Sequence, residues 1–147
     1  ELVGVDTLTY LAKHLKAHKP DLILIAEPWS FGGHIAHALK GTPFSSWNDG
    51  FREFIFEYVN GYGNTDGLKY FLEGSTSFLC QTAQQSVNYT ESHDDYAWFD
   101  RLEENDQKKQ KTHCMFALLY MSLGIPIWEV SGWWLFFLPH DILLHNH

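Results

Sequence analysis

The sequence predicts an α/β fold built on a parallel sheet. Three observations carry that expectation. An amphipathic helical stretch passes through a short turn into a continuous apolar run, two strand-like segments each end in acidic residues, and a later helix closes on Gly124 and Pro126 just before another strand-like segment. Helix, tight turn and buried strand in succession are the rhythm of parallel sheets, whose helical crossovers cover the faces.

Taken in order, Leu8, Leu11, Ala12 and Leu15 recur at helical spacing over residues 6–18, with Asp6 as the expected N-cap and Pro20 just past the end. A Lys19-Pro20-Asp21 turn leads into Leu22-Ile23-Leu24-Ile25-Ala26, expected as a strand covered on both faces. Residues 29–48 are rich in Gly, Pro, Ser and His and lack a period, which predicts a long loop with a short strand at 44–47. Helices are expected over 50–59 and 66–72, separated by Asn60-Gly61-Tyr62-Gly63-Asn64. Residues 86–90 read as a strand, followed by a polar turn at 91–95 and a charged segment in which 108–111 is a solvated helix entry. A helix over 112–123 and a strand beginning Ile125-Pro126-Ile127 complete the order, with no internal repeat and no interdomain linker.

The chain has 147 residues, room for one domain with a packed core. Eighteen acidic against ten basic side chains give a net charge of -8, which supplies no attraction for nucleic acid or an anionic membrane surface. An aromatic content of 16% with six Trp suits a surface that stacks flat, amphipathic ligands such as sugars. Cys80 and Cys114 form neither a disulfide framework nor a C-x-x-C pair, in keeping with a reducing compartment. No signal peptide is visible, the expected location is cytoplasmic, and the first residue is Glu rather than Met, so a further segment is expected upstream. Residues 123–139 are too short and too interrupted to span a bilayer. The pairs His14/His18 and His34/His37 lack third and fourth ligands at metal spacing, His140, His145 and His147 lie in the tail, and neither metal nor cofactor is expected. The sequon Asn88-Tyr89-Thr90 falls in an expected strand and is read as chance.

Glu27 stands directly after the run 22–26, where a parallel strand delivers it to the carboxyl edge of the sheet, the edge at which α/β proteins bind and transform ligands. Flanked by Ala26, Pro28 and Trp29, it is expected to be partly desolvated, which raises a carboxyl pKa towards that of a general acid; the bland alternative is a carboxylate that pairs with an Arg or caps a helix. The segment Val87-Asn88-Tyr89-Thr90-Glu91-Ser92-His93-Asp94-Asp95 repeats the layout of strand then carboxylate. Two carboxylates delivered to one edge are what glycoside cleavage uses, one to protonate the leaving oxygen and one to face a cationic sugar transition state. By itself His93-Asp94 also reads as a solvated turn.

Ala26-Glu27-Pro28-Trp29, Trp47-Asn48-Asp49-Gly50-Phe51-Arg52-Glu53 and Val87-Asn88-Tyr89 with His93-Asp94, in that order, resemble the alpha-amylase family of glycoside hydrolases, nearest its debranching branch of isoamylases, pullulanases and glycogen debranching enzymes. The resemblance covers about residues 1–128. It implies part of a (β/α)8 barrel, from the end of strand 4 to about strand 8, acting on α-glucans by a retaining mechanism at α-1,6 branch points. It also implies that Glu27 is the general acid and base, that Asp94 binds sugar hydroxyls and stabilises the transition state, and that His93 binds substrate beside it. Trp29, Trp47, Asn48 and Asp49 are expected to line the cleft, and Arg52 either touches substrate or braces the loop.

Two departures follow. The family nucleophile, an Asp in a Gly-Phe-Arg-x-Asp motif, has no counterpart, and Glu1-Leu2-Val3-Gly4 is similar to the stretch that follows it; the isolated chain is therefore expected to be inactive. Residues 129–147 have no family counterpart, and their six consecutive large apolar residues from Trp133 to Leu138 read as the product of a truncation or frame shift. The rival expectation is a non-catalytic carbohydrate-binding or interaction protein that stacks sugars on Trp29, Trp47 and Trp98.

Overall fold

The computed structural model describes residues 4–30 and 33–129. The apolar tail run and the tail histidines lie outside the described residues.

Helix α1 (Val5–His18) begins at an N-cap of Gly4 with no side-chain cap. Asp6 is thus not the cap; it sits in the first turn, where its charge favours the helix dipole. The run 22–26 contributes only a two-residue strand, β1 (Ile25–Ala26). It is not covered on both faces. Leu24 and Ala26 pack with Val5, Leu8, Ala12, Leu39 and Phe44, whereas Ile23 is 65% exposed and Ile25 points the other way into solvent. The expected long loop holds a hairpin, β2 (Trp29–Ser30) with β3 (Gly33–His34), and a short helix α2 (Ala36–Leu39). It ends in strand β4 (Ser45–Trp47).

Helix α3 (Asp49–Val59) is capped by Asn48, whose side chain accepts from the Phe51 N–H, and α4 (Thr65–Leu72) is capped by Asn64 in the same way. A single 3₁₀ turn (Ala83–Gln85) leads into β5 (Ser86–Tyr89). Helix α5 (Trp98–Arg101) was not expected from the sequence. Helix α6 (Lys108–Met121) starts earlier than its apolar pattern, and strand β6 (Ile125–Ile127) follows it. Lys108 is not a solvated entry: it is buried, its amine bonds Glu104 at 2.6 Å and lies 3.9 Å from the centroid of the Phe99 ring. Between α6 and β6 the chain passes so close to β5 that a Cβ on Gly124, at φ +135°, would sit 2.7 Å from Asn88 Nδ2 and 2.8 Å from Ser86 O.

Strands β1, β4, β5 and β6 form one parallel sheet in that spatial order. Successive strands are neighbours, without the reversal of order that marks a doubly wound sheet. Register places Ala26, Ser46 and Ser86 in one row, with Asn88 opposite Pro126 on the same face, and Trp47, Val87 and Ile125 in a row on the other. The larger core, Phe51, Ile55, Trp98, Leu102, Met115 and Leu119, joins α3, α5 and α6. Trp98 is only 2% exposed and its indole N–H donates to Thr112 Oγ1 at 3.3 Å, so it is a core residue and not a sugar-stacking surface.

Candidate active site

The carboxyl ends of three adjacent parallel strands converge. Glu27 follows β1, Asn48 and Asp49 follow β4, and Ser92, His93 and Asp94 follow β5. Glu27, Trp29, Trp47, Asp49, Arg52, Tyr89, Ser92, His93 and Asp94 line one open cleft of about 150 Å3. Residues 67 positions apart in sequence, Glu27 and Asp94, thereby share one hollow because the sheet aligns the ends of its strands.

Asn48 is the sequence-predicted site residue that the cleft does not contain. It is 2% exposed and points into the protein. Its Oδ1 accepts from the Phe51 N–H at 3.0 Å, and its Nδ2 donates to Ser75 Oγ and to Ser86 Oγ, each at 2.9 Å. Ser86 Oγ in turn donates to Asn88 Oδ1 at 2.7 Å, and Asn88 Nδ2 donates to Leu123 O at 3.0 Å. The two amides and two hydroxyls tie β4, β5, the turn after α4 and the turn before β6 into one buried lattice, so the sequon asparagine is itself sealed inside.

Asp49, the next residue, faces the cleft and accepts from the Tyr89 hydroxyl at 2.5 Å. Burial pushes the Tyr89 phenol well above its ordinary value, and the bond to Asp49 and its negative charge push the same way. Tyr89 was not among the expected site residues, although it ends the Val87-Asn88-Tyr89 motif; its edge also meets the Trp47 ring at 4.7 Å and 86°. Arg52 Nε bonds Glu53 Oε1 at 2.7 Å, its NH1 meets Asp95 Oδ2 at 3.0 Å, and its guanidinium lies 5.5 Å from the Tyr89 centroid. Burial alone would loosen its proton, but Glu53, Tyr89 and Asp95 hold it more firmly than in water.

Glu27 is exposed, so the desolvation expected from its Ala-Pro-Trp flank is not present. The physical reason is β1 itself: it pairs only with β4 among the described residues, and its outer face is open. Trp29 is 45% exposed with its ring edge-on to His34 at 5.1 Å. His93 and Asp94 are exposed too, with Nε2 and Oδ1 3.2 Å apart. Glu91, by contrast, is buried, and its Oε2 accepts from the Trp98 N–H at 2.6 Å. The described residues hold no cluster of three or more His, Cys, Asp or Glu arranged to bind a metal ion.

No family model matches the chain. It is 24% identical over 155 aligned residues to a pullulanase of Bacillus subtilis (strain 168), an alignment covering 85% of this chain and 21% of that protein. The resemblance to the debranching glycoside hydrolases holds. In three dimensions the chain superposes on pullulanase from Bacillus acidopullulyticus with a TM-score of 0.72 at 21% identity, over 84% of this chain and 18% of the other. The likeness in structure shows a shared fold. The chain spans about a fifth of the length of the pullulanases it matches. No helix among the described residues is long and apolar enough to cross a membrane.

Proposed function

We propose that this chain is part of a retaining glycoside hydrolase of the debranching type, one that cleaves α-1,6 branch linkages of glycogen, starch or pullulan. In this reading, residues 1–128 are the later part of a (β/α)8 barrel. Sequential parallel strands with helices packed on one face suit that architecture, which closes with about 250 residues in all. The observation that carries the proposal is the convergence of Glu27 and Asp94, from two different strand ends, on a cleft that also holds Trp29, Trp47 and Arg52.

Glu27 then protonates the departing glycosidic oxygen and later activates water, while Asp94 opposes the positive charge of the oxocarbenium-like transition state with His93 on the same sugar hydroxyls. Trp29 and Trp47 offer apolar faces to the glucose rings. A retaining reaction needs a nucleophilic carboxylate about 5–5.5 Å from the acid, and no residue of this chain is assigned that part.

The isolated chain should therefore release no reducing ends from pullulan. Joined to a preceding segment that carries Gly-Phe-Arg-x-Asp, it should gain turnover, and Glu27→Gln should cut that turnover by about 10²–10⁴-fold, the usual worth of general acid–base catalysis. Turnover by the 147-residue chain alone, or a Glu27→Gln chimera as active as its parent, overturns this assignment. Glucan binding with no turnover in the chimera would favour a carbohydrate-binding role.

A further inference from the structure

His93 and Asp94 occupy the two corners of a tight turn closed by the Asp95 N–H, which donates to Ser92 O at 3.2 Å. Both corner side chains are exposed, so they do not fix the turn themselves. What fixes it lies at its flanks. On the exit side, Asp95 Oδ1 accepts from the Tyr96 N–H at 2.9 Å while Oδ2 meets Arg52 NH1 at 3.0 Å. Before the turn, Glu91 is anchored by the Trp98 N–H. Arg52 is held in turn: its Nε is bonded to Glu53, and the other Glu53 oxygen accepts from Arg101 NH2 at 2.8 Å. An alternating line of charges, Arg101, Glu53, Arg52 and Asp95, thus runs from α5 across α3 to the foot of the turn.

We propose that Arg52 is a positioning residue that clamps the 92–95 turn through Asp95, so that His93 and Asp94 are presented to the cleft in one orientation. Its significance rests on the glucan-cleft reading, but the clamp is a mechanical property that exists without any glucan. A guanidinium suits the task because its planar fork serves Glu53 on one edge and Asp95 on another, which a lysine ammonium at the end of a flexible stem cannot do at once. The geometry decides between two roles for Arg52: with Nε and NH1 committed to carboxylates of the protein and its plane set over Tyr89, the side chain braces the loop.

Hydrogen exchange of the full chain tests the clamp. In Arg52→Met, and equally in Asp95→Asn, the Asp95 and Tyr96 amides should exchange at least tenfold faster than in the parent, while those of Ile55 and Leu119 in α3 and α6 keep their protection. The double variant should be no faster than either single one, because both remove the same link. Arg52→Lys should fall between parent and Arg52→Met. Unchanged exchange at Asp95 and Tyr96, additive acceleration in the double variant, or equal acceleration throughout α3 and α6 would each overturn the clamp. Binding of maltooligosaccharides, read from Trp fluorescence, separates the remaining role. If Arg52→Met weakens binding severalfold and Asp95→Asn does not, Arg52 touches sugar directly and the clamp is refuted; if both weaken it alike, the clamp is supported. If the parent chain binds no glucan, the same comparison is made in the chimera with the preceding segment, and a chimera that binds none sinks the proposed function, while the exchange result still decides the clamp.

Discussion

Substituting Asn48 distinguishes a scaffold from a substrate contact, and the expected cost can be worked from its bonds. Asn48→Ala removes the cap of α3, worth about 1 kcal/mol, and the two buried bonds to Ser75 and Ser86, about 1 kcal/mol each. The sum is about 3 kcal/mol, a large share of the 5–15 kcal/mol that holds a typical domain folded. Asn48→Ser keeps a capping hydroxyl but is too short to reach both serines, so about 2 kcal/mol is expected.

Asn48→Asp is the sharper perturbation. It keeps shape and cap, yet replaces two donors by an acceptor in a buried site that already holds Asn88 Oδ1, 3.5 Å from Asn48 Nδ2. At pH 7 it should cost at least as much as Asn48→Ala, because a carboxylate is stranded without a charge partner. Burial beside another acceptor raises the folded pKa of the introduced carboxyl above its unfolded value of about 3.9, so folding favours the protonated form. Its penalty relative to the parent should therefore grow as pH rises above about 4, ease as pH falls back towards about 4, and stay level below that, where the carboxyl is protonated in both states. Urea unfolding of the parent and the three variants at pH 7 and at low pH measures all of this. A cost below about 1 kcal/mol for Asn48→Ala, or an Asn48→Asp chain more stable than Asn48→Ser, would refute the lattice. Lost glucan binding at an unchanged urea midpoint would instead restore the substrate contact read from the sequence.

Trp98→Ala should cost about 3–5 kcal/mol as a core truncation, whereas Trp29→Ala should leave stability within about 0.5 kcal/mol and weaken glucan binding; the two are told apart by urea unfolding and fluorescence titration. Tyr89 should remain protonated at pH 10, the value for a free phenol, and because its folded pKa is raised, the stability it confers is present below about pH 10 and lost as pH rises past it. Absorbance at alkaline pH in the parent and in Tyr89→Phe checks this: the two curves should coincide through about pH 10, and a parent that ionises one more tyrosine than the variant there would refute it. Ile23→Lys should reduce self-association of the isolated chain without moving its unfolding midpoint, since Ile23 is exposed beside the open-edged β1; unchanged sedimentation would show that this edge is not sticky.

The parallel order and the edge on which Glu27, Asp49, His93 and Asp94 gather were legible because they rest on local patterns: an apolar run, a turn, and a polar residue at the strand end. The inward turn of Asn48 was not. Within Trp47-Asn48-Asp49 every residue reads as surface, and only Ser75, 27 positions on, and Ser86, 38 positions on, make the interior polar enough to receive an amide. Ser75 itself adopts a left-handed φ of 56°, which no local motif announces. Glu91 and Lys108 were misjudged for the same reason. Each is charged and lies in a polar or charged stretch, yet Glu91 is buried against the Trp98 N–H and Lys108 against the Phe99 ring, partners supplied by a helix, α5, too short to show a period. Glu27 failed in the opposite direction. Its apolar neighbours in sequence suggested cover that the open outer face of β1 does not give.

The two faces of the sheet have different work, and the end of β4 joins them. On the helix side, Ser46, Ser86 and Asn88 are small or hydrogen-bonded, which lets α3 and the turn after α4 approach closely and locks them there. On the opposite side, Trp47 and Tyr89 stand edge to face and lead up to the cleft. Asn48 and Asp49 are adjacent, one directed into the lattice and the other bonded to Tyr89 on the cleft wall. A backbone that fixes one must fix the other, so the orientation of Asp49 and Tyr89 is inherited from buried bonds that no substrate ever meets. Glu27 has no such anchor after a two-residue strand with an open face. Of the two proposed catalytic carboxylates, the one within the clamped turn is held by this chain, and the acid is the one whose environment depends on whatever covers β1.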